Sequence, residues 1–319
     1  NVMDSISVMT PSSVTICEPE VPVKDFESYQ ESSAPDIATL RRTVNDCIKE
    51  GNDELAIDVI SPSLIQNNSL SISFDVALFC LTALWVLALR SDENKKKIIL
   101  EGETLNGIIE VMRINCDIHM PVEIQKKACG LLWALSMDPK DRIHVAQSGG
   151  WNMILKAMKK YIEDISLQLS ALGALKVLTS TSRSKVEMDT KKILAVVSSV
   201  MQRHAGNATT QCEGCVIIVN VATIDESQFV RAVSEKEISA IVNGILMNPE
   251  ARDVHETACF TLMQLASSSA NVNLIRSNDT SRVALELVFQ SNPKEVNNIL
   301  ILLRRLNFDK DNENSNRGR

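Results

Sequence analysis

A chain of 319 residues with 45% hydrophobic residues is long for one compact core and has ample apolar material for two domains or an extended architecture. Aromatics supply only 4%, with 11 Gly and 9 Pro, so the core is built from Leu, Ile, Val, Ala and Met; sandwiches and barrels use more aromatic and turn residues, and the composition points to helices. The net charge of −7 sits mainly at one end, where Asp4, Glu18, Glu20, Asp25, Glu27 and Glu31 face only Lys24; with no basic excess, no nucleic-acid partner is expected.

Residues 1–34 mix Pro11, Pro19 and Pro22 with Ser, Thr and Glu, show no sustained period, and read as a disordered acidic leader. No basic segment followed by an apolar run opens the chain, and eight cysteines over this length are no disulfide framework. The expected compartment is reducing, cytoplasmic or nucleocytoplasmic, and not secretory. Asn1 in place of an initiator Met suggests an excerpt or a processed product.

Residues 35–53 open a stretch of helical spacing, PDIATLRRTVNDCIKEGNDELAIDVIS, and read as an N-terminal cap. From residue 54 to 307 a longer period governs. The segments LWVLA, LWALS, LKVLT, IVNVA, LMQLA and LRRLN place Leu87, Leu135, Leu178, Val221, Leu265 and Leu306 at intervals of 48, 43, 43, 44 and 41. A second landmark, Met112, Met158, Met201 and Ile245, keeps the same beat. Gly102, Gly149 and Asp279 close short helices that precede the second landmark, and Gly, Asn and Asp tolerate the left-handed helix end. Pro121, Pro249 and Pro293 fall just before long apolar helices, where a first-turn proline is tolerated. Each unit thus reads as a short helix, a turn, a second helix, a loop and a longer third helix. Such units bury their apolar faces only by stacking in series. The stretch FDKDNENSNRGR, residues 308–319, reads as a disordered polar tail.

NKKKIILEG and DRIHVAQSGGWNMILKAM resemble the Asn-x-x-x-Ile-x-x-x-Gly-Gly turn and second helix of the armadillo repeats, and ACGLLWALS, EGCVIIVNVA and ACFTLMQLA resemble that family's third helix. HEAT repeats are the nearest alternative, and the Gly turn favours armadillo. The resemblance implies an all-α, right-handed α-solenoid of five to six three-helix repeats, without enzymatic activity or cofactor. It implies a scaffold or adaptor that binds a protein or peptide partner in the concave groove of the third helices, with no small-molecule substrate. A regulatory or co-chaperone-like subunit gripping a folded partner is the alternative.

In that family an Asn just before the last Leu of the third helix holds the main chain of an extended peptide, since an amide both donates and accepts. The equivalent residues here are Val86, Ala134, Val177, Asn220, Gln264 and Arg305, of which only Asn220 matches. The family's Trp, four residues earlier, is replaced by Thr82, Gly130, Gly173, Val216, Phe260 and Ile301, while Trp85 and Trp133 sit one residue before the ladder. The candidate binding residues are therefore Asn220, Gln264, Arg304 and Arg305, with Trp85 and Trp133.

Two features suggest other classes. The apolar run 76–89 is 14 residues long, short of the roughly 20 that a membrane span needs, and reads as a third helix. CEGC at 212–215 has the spacing of a dithiol or half a zinc site. Yet Cys129, Cys215 and Cys259 each lie six residues before a landmark, so Cys215 reads as a small buried hydrophobe at a helix crossing and only Cys212 lacks that explanation. His119, His144, His204 and His255 share no short spacing, and no metal site is expected.

Overall fold

The computed structural model describes residues 35–65, 73–100, 103–117, 121–181, 187–224, 229–291 and 296–306, and there the chain is helical apart from one two-residue ladder, with its helices packed on one another. The leader, the tail, Gly102, His119 and Pro293 lie outside the described residues. In chain order stand α1 (Pro35–Lys49), α2 (Asp53–Ile65), α3 (Phe74–Arg90), α4 (Asp92–Leu100), α5 (Thr104–Asp117), α6 (Glu123–Leu135), α7 (Arg142–Gln147) and α8 (Gly150–Lys160). They are followed by α9 (Ile165–Thr179), α10 (Thr190–Arg203), α11 (Ala208–Ala222), α12 (Glu235–Met247), α13 (Arg252–Leu265), α14 (Ser269–Ser277), α15 (Ser281–Ser291) and α16 (Val296–Leu306). Between α11 and α12 a two-residue antiparallel ladder, β1 (Thr223–Ile224) with β2 (Phe229–Val230), pairs Thr223 with Val230 and Ile224 with Phe229.

Local chemistry sets the helix ends. The side chains of Asp164, Asp189 and Asn207 accept from the backbone N–H of Leu167, Lys192 and Thr210, capping α9, α10 and α11. Ser234 and Glu237 close a capping box on α12. Gly149 takes a φ of +82°, as its place between α7 and α8 anticipates, and Gly51 ends α1 at +75°. The turn at Asp279 works differently. Asn278 keeps φ at −79°, and its Oδ1 accepts from the Thr280 N–H at 3.3 Å and from the Thr280 and Ser281 hydroxyls at 3.0 and 3.2 Å.

Packing sorts the helices into two series. The long helices α3, α6, α9, α11, α13 and α16 each pack on the next of that set, and α2, α5, α8, α10, α12 and α15 do the same. All six third-helix landmarks are buried, as are Met112, Met158, Met201 and Ile245; Val288, 43 residues after Ile245, carries the second beat into α15. α2 belongs to the second series and touches α3, α4 and α5, while α1 covers α2 and α3 at the N-terminal end. Residue 53 is thus where α2 begins.

Short first helices stand as α4, α7 and α14. Among the described residues none stands between α9 and α10 or between α11 and α12, where the β1–β2 ladder lies instead. Thr223, Ile224, Phe229 and Val230 are β-branched or aromatic, the residue types that favour strand. The run 76–89 lies in α3, largely buried by its neighbours, and no helix among the described residues is long and apolar enough to cross a membrane. VIIV at 216–219 lies in α11 despite its β propensity, because its apolar residues keep the register of the series.

Candidate functional site on the long-helix face

Positions counted back from the landmark describe the face of the long helices. Two residues before it stand Trp85, Trp133, Lys176, Val219, Met263 and Arg304; five before it stand Thr82, Gly130, Gly173, Val216, Phe260 and Ile301. The Trp85 ring lies against Gly130 of the next long helix and the Trp133 ring against Gly173, so closely that a Cβ on either glycine would meet ring atoms at 2.9 Å. Lys127 extends its ammonium over Trp85, 5.5 Å from the ring centroid. Both indole N–H groups are buried without a partner among the described residues, so the rings act here as apolar filling between successive helices.

Lys176 replaces the tryptophan in α9 and reaches across the same seam, its Nζ 2.7 Å from Glu213 Oε1 on α11. Beyond this point the seam opens. Val216 and Phe260 are half-buried and Ile301 is exposed, so α11, α13 and α16 present an apolar row where α6 and α9 present glycine under indole. Beside it runs a polar row. Asn220 Nδ2 donates to the Lys176 carbonyl and to Thr179 Oγ1, both at 3.3 Å. Arg305 Nη1 donates to the Met263 carbonyl at 3.4 Å, and Gln264 and Arg304 are exposed. Arg304 and Arg305 make no ion pair among the described residues. The structure thus places Asn220, Gln264, Arg304 and Arg305 on three consecutive long helices and keeps Trp85 and Trp133 apart from them, in the seams of α3–α6 and α6–α9.

The cysteines divide by depth. Cys129, Cys215 and Cys259 are buried at one register position, as their spacing anticipates. Burial raises the Cys215 and Cys129 thiols well above their usual value. Cys212 is half-buried, its thiol pushed up to about 12 by burial first and the Asp253 carboxylate second. A nucleophilic dithiol needs the opposite displacement. Among the described residues no three His, Cys, Asp or Glu side chains are grouped to hold a metal ion.

A polar row inside the stack has no counterpart in the sequence reading. Gln125, Gln168 and Gln211, at intervals of 43, each stand ten residues before a landmark, are buried, and turn their amide onto the end of the preceding second-series helix. Gln125 Nε2 donates to the Met112 carbonyl at 2.8 Å, Gln168 Nε2 to the Met158 and Tyr161 carbonyls at 3.1 and 2.9 Å, and Gln211 Nε2 to the Met201 and His204 carbonyls, both at 3.0 Å. His255 fills the same position on α13, 1% exposed. Burial lowers its pKa, against the raising influence of the Asn248 backbone and the Asp253 and Glu250 carboxylates.

Asn94 and Asn271 perform the matching task for the long helices. Asn94 Nδ2 donates to the Leu87 carbonyl at 2.9 Å, and Asn271 Nδ2 to the Leu265 carbonyl at 3.0 Å. Arg142 does so after α6, its Nε donating to the Ser136 carbonyl at 2.9 Å. Buried helix-end carbonyls need such partners.

No family model, curated protein or solved structure matches this chain.

Proposed function

We propose that the chain is a right-handed α-solenoid of armadillo type that serves as a cytoplasmic interaction scaffold, binding a protein or peptide segment along its third helices without chemistry of its own. The observation that carries this reading is the paired row on α11, α13 and α16. Val216, Phe260 and Ile301 offer apolar contact, and Asn220, Gln264 and Arg305 offer donors beside it. A segment laid across these helices buries side chains on the first row and meets main-chain polar groups with the second. Trp85 and Trp133 support the site at a distance by fixing the spacing of α3, α6 and α9.

The register supports the repeat type. Asn94, Arg142 and Asn271 from the short helices α4, α7 and α14, and buried Gln125, Gln168, Gln211 and His255 on α6, α9, α11 and α13, recur at matching places in the register. The regulatory-subunit alternative, a grip on a folded partner, draws on the same surface and differs in what is held.

The test is capture of interacting proteins from the native cell by wild-type chain and by Asn220→Ala/Gln264→Ala. Proteins retained by the first and lost from the second, with a melting temperature lowered by only a few degrees, are the expected result. Gln264 is exposed, and loss of the two long Asn220 bonds costs about 1–2 kcal/mol. An identical set retained by both proteins would refute the patch.

A further inference from the structure

The long-helix face carries three stripes where α11 meets α13. Val216 and Val219 on α11, with Phe260 and Met263 on α13, are half-buried. They stand at the places that Thr82 and Trp85, Gly130 and Trp133, and Gly173 and Lys176 hold in the earlier long helices. The spacing of three residues puts each pair on one helix face. Gly130 and Gly173 lie under the indoles of the preceding helix. The same register sets Phe260 against Val219, so the four side chains make one apolar stripe across both helices. Both helices lie inside the stack, α11 packed between α9 and α13, and α13 between α11 and α16.

One edge of this stripe is acidic. Asp253 and Glu256, two turns and one turn before Phe260, are exposed and make no ion pair among the described residues. Asp253 reaches the Cys212 thiol of α11, which makes the edge continuous across the two helices. Glu250 adds to it from the turn ahead of α13 and Arg252 offsets part of it, while Glu213 is already neutralised by Lys176 at 2.7 Å. The opposite edge is polar and basic. Gln264 is exposed there, and Arg305 is held by its bond to the Met263 carbonyl at 3.4 Å. Arg304 precedes it, and neither arginine is in an ion pair among the described residues.

Dimensions and pattern define what fits. Glu256 and Gln264 are eight residues apart on α13, about 12 Å at 1.5 Å per residue. The acidic and basic edges therefore lie one helix width apart, since an α-helix with its side chains is about 10–12 Å across. An extended segment alternates between two faces and offers only one of them to a surface. A helix turns about 100° per residue and offers an apolar stripe with a separate polar flank on each side.

We propose that the α11–α13 face holds an amphipathic helix of a partner protein, laid across the two long helices with its apolar stripe on Val216, Val219, Phe260 and Met263. Its flank toward Asp253 and Glu256 carries Lys or Arg, and its flank toward Arg304 and Arg305 carries Asp or Glu. This rests on the scaffold reading and deepens it by fixing the partner's local structure and charge pattern. The unlike edges also fix the direction of the bound helix, because reversing it sets like charges together.

Stapled helical peptides of about 15 residues, long enough for a stable helix once bridged, test this by fluorescence anisotropy on the full chain. All share one Leu stripe; the first has a Lys flank and a Glu flank, the second Lys on both, the third Glu on both. The Lys/Glu peptide is expected to bind wild type tightest, by roughly two- to thirtyfold, as for two exposed ion pairs on a flank. In Asp253→Lys/Glu256→Lys the preference passes to the Glu/Glu peptide, and in Arg304→Glu/Arg305→Glu to the Lys/Lys peptide. All four side chains are exposed, and circular dichroism confirms that each variant is folded. Equal affinity for the three peptides, or a ranking unmoved by both reversals, overturns the proposal. Equal binding by an unstapled Lys/Glu peptide with a central proline identifies an extended segment as the occupant and overturns it too. Self-association of the free chain that either reversal abolishes identifies a second copy and has the same consequence. No binding by any peptide also overturns it, and leaves the scaffold reading to be decided by native partners lost from Asn220→Ala/Gln264→Ala.

Discussion

Gln168 offers the sharpest test of how the units are tied together. Its amide donates to two carbonyls at the end of α8, Met158 and Tyr161, from a fully buried position, while its own Oε1 has no partner among the described residues. Gln168→Met keeps length and volume and removes both donors. Two neutral hydrogen bonds at about 0.5–1.5 kcal/mol each set a loss of about 1–3 kcal/mol, moderated because the unpartnered Oε1 leaves too. Gln168→Glu is worse. An ionised carboxylate facing two carbonyl oxygens is repelled and desolvated, so its folded pKa rises above the unfolded one and the site accepts the side chain best when protonated. The native state then binds more protons than the unfolded chain, and this variant loses stability as pH rises from about 4.3 through the raised pKa. Urea unfolding at pH 5 and pH 8, with amide exchange followed in α8 and α9, measures both effects. Wild-type-like stability of Gln168→Met, or a Gln168→Glu variant indifferent to pH, would refute the capping role.

Gly173→Ala inserts a methyl against the Trp133 ring, where a Cβ meets ring atoms at 2.9 Å, and is expected to cost about 1–3 kcal/mol by overpacking although α9 gains helix propensity; a stabilised variant in thermal unfolding would show that the seam yields. His255 has its folded pKa lowered by burial, so the unfolded chain binds more protons there as pH drops below about 6.5, and stability is lost in that acid window. His255→Gln installs the residue of the three preceding units and is expected to flatten the stability profile between about pH 5 and 6.5, measured as urea midpoints against pH.

The beat of about 43 residues was legible because the landmarks are core positions, and a stacked core admits only large apolar side chains there. The cysteine at 215 was legible for the same reason, since Cys129 and Cys259 recur in phase. The Gln row kept the same period and stood open to view at 125, 168 and 211, but a search for apolar recurrence passes over a buried amide. Its signal is a polar residue repeating inside an apolar helix. The orientation of Trp85 and Trp133 was not legible from their own spacing. It is decided by Gly130 and Gly173 on the neighbouring helix, and one sequence shows which residues are small without showing which ring they face. The β1–β2 ladder was hidden similarly, because the beat persists whatever lies between two landmarks.

The pair of positions two and five residues before the landmark governs what each seam can do. Indole over glycine fills the seams from α3 to α9, and a surface so filled presents ring faces already in contact with backbone. From α11 onward Val216, Phe260 and Ile301 stand where glycine stood, and Val219, Met263 and Arg304 where tryptophan stood, so the helices meet with side chains standing out from the seam. The proposed binding row thus lies on the last three long helices, while the N-terminal half, its seams sealed by Trp85 and Trp133, is the rigid support on that reading. Pre-organisation of that kind lowers the ordering cost of binding without adding a contact. A substitution in the sealed half is therefore expected to weaken binding only through stability, whereas one at Phe260 or Gln264 acts on binding directly.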